Sequence, residues 1–136
     1  MRIQNTGTLL SHGNLAGRRA VLEILEAALE AADPYGNTRR LIHLEGGKLV
    51  VGGKDFEPRG SPKTGDEVLD LSQVGNIYVF GAGKGSQRVA KAIEDVLGER
   101  LTGGHVIDKR GNDIILSRIG VTLGAHPVPD DGCVRG

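Results

Sequence analysis

The sequence predicts an α/β chain, a Rossmann-like layered domain with a mainly parallel sheet, an N-terminal helix and a β-hairpin insertion. Three observations carry this reading. The apolar run Ile77-Tyr78-Val79-Phe80 stops at a glycine-rich turn, Gly81-Ala82-Gly83-Lys84-Gly85, and Ser86 then opens a stretch with helical spacing. A second apolar run, Gly103 to Ile107, follows. Strand, helix and strand within about thirty residues make a βαβ unit, whose crossover is right-handed. A long amphipathic segment and a hairpin signal precede this unit.

Taken in chain order, the first helix is expected from Leu15 to Ala32. Val21, Ile24, Leu25, Ala28 and Ala32 share one face, while Arg18, Glu23, Glu26 and Glu30 fall elsewhere. That apolar face is expected to pack against a sheet. Asn14 suits the N-cap, and Asp33-Pro34 stops the helix. Leu41 to Leu44 and Leu49 to Val51, joined by Glu45-Gly46-Gly47-Lys48, read as a hairpin, because glycine supplies the positive φ that tight hairpin turns need. Gly52 to Gly65, with Pro58, Gly60 and Pro62, reads as an exposed loop.

Ile77 to Phe80 is wholly apolar, as expected of a parallel strand covered on both faces. The helix from Ser86 to Leu97 carries Val89, Ala92, Ile93, Val96 and Leu97 at helical spacing, and Gly98 suits its C-terminal cap. Gly103 to Ile107, Ile114 to Leu116 and Gly120 to Leu123 are the remaining strand candidates. The chain closes with the turn Ala125-His126-Pro127-Val128-Pro129-Asp130-Asp131.

Composition narrows the function. The 136 residues suffice for one domain with a single core. Lysine plus arginine and aspartate plus glutamate number 17 each, which argues against a nucleic-acid binder or a polybasic membrane anchor. No apolar run approaches the roughly 20 residues that span a bilayer. Met1 to Gly13 lacks the apolar segment of a signal peptide, and Cys133 has no cysteine to pair with, so a cytoplasmic protein is expected. The 22 glycines, well above the usual share of about 7%, sit at the ends of apolar runs and mark tight turns. Tyr35, Phe56, Tyr78 and Phe80 are the only aromatics, so the core is expected to be aliphatic and stacking platforms for single-stranded nucleic acid are absent.

The loop from Gly81 to Ser86 carries the chemistry. A glycine turn between strand and helix offers backbone N–H groups and the positive end of a helix dipole to an anion, and Lys84 adds a full charge. The expected ligand is a phosphate or a carboxylate. A Walker A loop is excluded, since Tyr78 and Gly85 stand where that pattern needs glycine and Ser or Thr. Gly81-x-Gly83-x-x-Ser86 approaches the dinucleotide fingerprint, with Asp108 as the acidic residue for a ribose, so a nicotinamide-binding reading stays open. His126 and Asp130, held by Pro127 and Pro129, form a second constellation suited to anion binding or proton transfer. His12, His43, His105 and Cys133 show no zinc spacing, and no G-x-S-x-G elbow is present.

Together these motifs are more specific than either alone. Val79-Phe80-Gly81-Ala82-Gly83-Lys84-Gly85-Ser86 with its helix, Leu101-Thr102-Gly103-Gly104, and His126-Pro127-Val128-Pro129-Asp130 resemble the N-terminal part of the MOFRL-associated glycerate 2-kinases, formerly often labelled hydroxypyruvate reductases. The resemblance runs from about Leu15 onward. It implies a two-domain α/β enzyme that transfers the γ-phosphoryl group of ATP to the 2-hydroxyl of D-glycerate with a divalent metal such as Mg2+. It implies a catalytic role for Lys84, with Gly81, Ala82, Gly83, Gly85, Ser86, His126 and Asp130 around the phosphate or substrate. Gly85 and Ala125 depart from the small residue, such as Ala, and the Gly usual at those places. Members of the family are much longer chains, so this one is expected to be a truncated N-terminal portion, inactive alone and self-associating as a homodimer through its exposed interface. A nicotinamide-dependent reductase module and a non-catalytic anion-binding domain are the alternatives.

Overall fold

The computed structural model describes residues 2–53, 66–111 and 114–136. A short helix, α1 (Thr6–Leu9), leads into α2 (Leu15–Ala31). The Asn14 side chain accepts from the Gly17 N–H at 3.0 Å, the expected cap. Asp33-Pro34 ends α2 and also begins α3 (Pro34–Leu41), with proline in the first turn, where its missing N–H costs nothing. Leu41 therefore belongs to a helix and not to the hairpin.

The hairpin forms from β1 (Ile42–Glu45) and β2 (Lys48–Val51), with Gly46 and Gly47 at φ +55° and +79°. A third antiparallel strand, β3 (Glu67–Asp70), joins β2 and was not anticipated. Residues 54–65, most of the loop expected from Gly52 to Gly65, lie outside the described residues.

A separate three-stranded sheet is wholly parallel, in the order β4 (Tyr78–Ala82), β5 (Gly103–Lys109), β6 (Ile119–Gly124). Between β4 and β5 runs α4 (Ser86–Leu97), ended by Gly98 at φ +52°, and α5 (Asp131–Arg135) follows β6. The mixed α/β class with a parallel sheet is as predicted.

The core is aliphatic: Ala90, Leu97, Leu101, Val106 and Ile119 are buried together, with Ile77, Val79, Ile93 and Val121 packed on them. Leu101 and Val106 are fully buried, each contributing roughly 2 kcal/mol of transfer free energy. Leu49 of β2 reaches the same cluster and joins the two sheets. Asp33 fastens the α2–α3 corner to α4, its carboxylate 2.6 Å from the Arg88 guanidinium. Partial burial pushes the Asp33 carboxyl up, but the Arg88 hydrogen bond and charge outweigh it and hold the carboxyl below its ordinary value.

Three expectations are corrected. The apolar face of α2 does not cover a sheet: Val21, Ile24 and Leu25 are exposed and Leu22 alone in the helix is buried. Here α4 packs on the parallel sheet and α3 packs on α4, which leaves α2 outermost against α3. Strand β4 is covered on one face only, since Tyr78 and Phe80 stack in the open, Phe80 being 76% exposed. Ile114 to Leu116 is not a strand. Its flanking amides are taken by side chains of α4: the Ile114 N–H donates to Gln87 Oε1 at 3.1 Å and the Ser117 N–H to Glu94 Oε1 at 2.7 Å. A segment bonded to a helix in this way cannot also offer those amides to a sheet. Among the described residues no helix is long and apolar enough to cross a membrane.

The Gly103-Gly104 pair has a steric reason at one position. A Cβ on Gly104 would lie 2.1 Å from the Val79 carbonyl oxygen, whereas one on Gly103 would meet the Arg118 oxygen at an ordinary 3.6 Å. Gly104→Ala should destabilise the chain by at least about 2 kcal/mol, and Gly103→Ala by no more than about 1 kcal/mol, read from the midpoints of urea unfolding.

Candidate functional site

All three parallel strands end on the same side, where ligand sites of open α/β sheets lie. Past β4 the chain turns through Gly83 and Gly85, at φ +131° and +94°, a region that favours glycine, and enters α4. Asp108 and Lys109 are the last two residues of β5, and past β6 come Ala125 and His126. These ends enclose a cavity of about 180 Å³ lined by Ala82, Gly83, Lys84, Ile107, Asp108, Lys109, Ala125, His126 and Cys133. The loop is also one wall of a second cavity of about 260 Å³, which adds Gly81, Gly85 and Ser86 together with Val79, Phe80, Val89 and Ile93.

The expected residues therefore divide. Lys84, Ala82 and Gly83 line both cavities, His126 lines the first, and Gly81, Gly85 and Ser86 line the second. Lys84 is exposed and has no ion-pair partner among the described residues. The Ser86 hydroxyl donates to the Gly83 carbonyl at 2.7 Å and serves the turn. Asp130 lines neither cavity. Its Oδ1 accepts from the Ala125 and Gly132 N–H groups at 3.0 and 3.1 Å, and its Oδ2 accepts from Arg110 at 2.7 Å. Asp130 thus caps α5 and closes the turn that carries His126. The Arg110 guanidinium, and then the Ala125 amide, lower its carboxyl to about 2.

The loop's amides are largely engaged. Asp108, 2% exposed, turns its carboxylate under the start of α4. Its Oδ1 accepts from the Gly85 N–H at 3.0 Å and the Lys109 N–H at 2.7 Å, and its Oδ2 accepts from the Gln87 N–H at 3.0 Å. The Gly83 N–H donates to the Ile107 carbonyl and the Ser86 N–H to the Gly83 carbonyl. Among the described residues, the Lys84 N–H has no hydrogen-bond partner. The anion at this helix N-terminus is thus the protein's own. The amides of Gly85 and Gln87 are not open to a ligand, and what the loop presents outward is the Lys84 side chain and amide. Asp108 is likewise unavailable to a ribose, which removes the acidic residue the dinucleotide reading relied on.

Sequence reasoning missed Lys109 and the structural role of Asp108. The available signal was an acid–base pair directly after an apolar strand, at the carboxyl end where such sheets bind ligands. Among the described residues no three carboxylate, histidine or cysteine side chains are grouped to hold a metal ion.

Asp108→Asn replaces an acceptor-only carboxylate by an amide whose NH2 faces backbone donors. A loss of roughly 2–3 kcal/mol is expected in urea unfolding, because buried N–H groups lose their acceptor. For Asp130 the folded carboxyl lies below its ordinary value of 3.8, so its support of the His126 turn is complete above that pH and is lost as pH falls through about 2. A carboxyl titration followed by NMR should show a midpoint near that value; a midpoint at the ordinary aspartate value contradicts the Arg110 tie.

Comparison with known proteins places the chain in a family. The pattern of the family described as "Domain of unknown function (DUF4147)" matches residues 20–136. The "Glycerate 2-kinase" of Pyrococcus horikoshii strain OT-3 is 31% identical over 119 residues, which cover 88% of this chain and 23% of that protein. The crystal structure of the PH0495 protein from Pyrococcus horikoshii OT3 superposes with a TM-score of 0.62 at 29% identity, over 85% of this chain and 22% of that one. The chain thus spans under a quarter of the length of these relatives. Its resemblance to the N-terminal part of the glycerate 2-kinases is borne out, and the chain belongs to the DUF4147 family.

Proposed function

We propose that this chain supplies the Lys84 side of a glycerate 2-kinase active site, in which the γ-phosphoryl group of ATP passes to the 2-hydroxyl of D-glycerate in the cytoplasm. Alone, the chain binds but does not turn substrate over. The observation that carries the reading is the convergence of Lys84 and His126 on one cavity at the carboxyl ends of the strands. Phosphoryl transfer asks a protein chiefly for positioning and for neutralisation of charge on the transferred group. An exposed lysine with no carboxylate partner, set on a turn that Asp108 holds from below, meets that requirement. The relationship to a glycerate 2-kinase supports the kinase assignment over a reductase, as does the engagement of Asp108 with the loop.

Among the described residues, the divalent ion that accompanies ATP finds no ligand set. Asp108 is bonded to three backbone amides and Asp130 to Arg110 and two more. No step is therefore assigned to the ion through residues of this chain.

Calorimetric titration with ATP in Mg2+, D-glycerate and NADH tests the reading. ATP or glycerate should bind and NADH should not. Lys84→Ala should weaken that binding roughly tenfold, the loss of one charge-assisted contact, while leaving the thermal unfolding midpoint unchanged. Binding of NADH with no response to ATP or glycerate would overturn the proposal, and unfolding by Lys84→Ala would show the lysine to be structural.

A further inference from the structure

Charge at the first cavity is set by Lys84, Asp108 and Lys109 together. Asp108 lines the cavity as well as bracing the loop. Its negative charge offsets that of Lys84, so the two alone give the cavity no net positive charge. The lining contains one more cation, Lys109, the last residue of β5. Alternation along β5 sends Val106 and Asp108 into the core beside α4, and Lys109 to the other face with Ile107. Lys109 has no carboxylate partner among the described residues, and its ammonium reaches only the Arg110 carbonyl, at a long 3.4 Å. The other nearby acid, Asp130, is already bound to Arg110.

The two lysines are also set against each other by one atom. Asp108 Oδ1 accepts from the Gly85 N–H and from the Lys109 N–H, so the loop that carries Lys84 and the strand end that carries Lys109 share an anchor. Two lysines lining one cavity from different strand ends suit a tetrahedral group with charge on several oxygens better than a planar carboxylate with one charge. The volume of about 180 Å³ is below the roughly 300–1,000 Å³ that encloses a whole drug-sized ligand, so the cavity admits a terminal group and not a nucleotide.

We infer that Lys109 is a second anion-binding residue of this cavity, and that the group seated between Lys84 and Lys109 is a phosphoryl dianion rather than a lone carboxylate. The inference rests on the proposed function and deepens it: this side of the cleft holds the phosphate being transferred, and the glycerate carboxylate is held elsewhere.

The test is titration of the full chain at pH 8 with inorganic phosphate and, separately, acetate. The proteins are the parent, Lys84→Met, Lys109→Met and Lys109→Arg, with circular dichroism melts to establish folding. Phosphate should bind the parent at least about tenfold more tightly than acetate. Lys109→Met should weaken phosphate about tenfold, and Lys109→Arg should restore most of it. If Lys109→Met unfolds, Lys109→Gln takes its place in the same comparison. Phosphate affinity unchanged by the neutral Lys109 variant but lowered by Lys84→Met overturns this inference and leaves the proposed function standing. If neither lysine variant weakens phosphate, both fall. Equal affinity for acetate and phosphate overturns the dianion assignment.

Discussion

The carboxylate of Asp108 organises the carboxyl end of the parallel sheet. A buried charge of this kind is costly unless it is fully hydrogen-bonded, and here three backbone N–H groups meet it within 3.0 Å. It also lies at the N-terminus of α4, where the helix dipole favours a negative group. The glycine loop is consequently closed from below before any ligand arrives. Anion recognition passes from the backbone, which is engaged, to side chains, which are not. That is why the lysines matter more at this site than the glycines that drew attention to it.

The same device recurs nearby. Gln87 and Glu94 are polar residues on the buried side of α4, and each accepts from an amide of the segment before β6. Asp130 does likewise for the turn after β6, and adds an ion pair to Arg110 at the end of β5. Side-chain carboxylates and an amide thus tie the turn before α4, the segment before β6 and the turn after β6. Lys84 and His126 stand on turns with little regular structure, yet each turn is tied to a strand or helix beside it.

Local features were legible in the sequence. The Asn14 cap, the hairpin glycines, the strand–loop–helix order around Lys84 and the closing Gly98 depend on residues within a few positions of one another. What escaped depended on distant partners. Asp33-Pro34 reads locally as a stop, and only the chain beyond it makes it the start of α3. Ile114 to Leu116 has the composition of a strand, but Gln87 and Glu94 claim its neighbouring amides. The apolar stripe of α2 was correctly seen as a stripe, while its packing partner depended on which helices reached the sheet first. Asp108 was noticed as an acid, but its direction was invisible until the pleat of β5 turned it beneath the loop. The meeting of Lys84 with His126 was expected from motif resemblance; the addition of Lys109 came only from the register of the strands.

The central claim is that the anion seat is made by side chains around a loop whose amides Asp108 already holds. The most direct measurement is an amide-resolved NMR titration of the chain with inorganic phosphate. The account predicts saturable shifts at Lys84, Lys109 and His126, with the Gly85 and Gln87 amides nearly unmoved because their acceptor does not change. Dominant shifts at Gly85 and Gln87, showing phosphate displacing the Asp108 carboxylate, would contradict it.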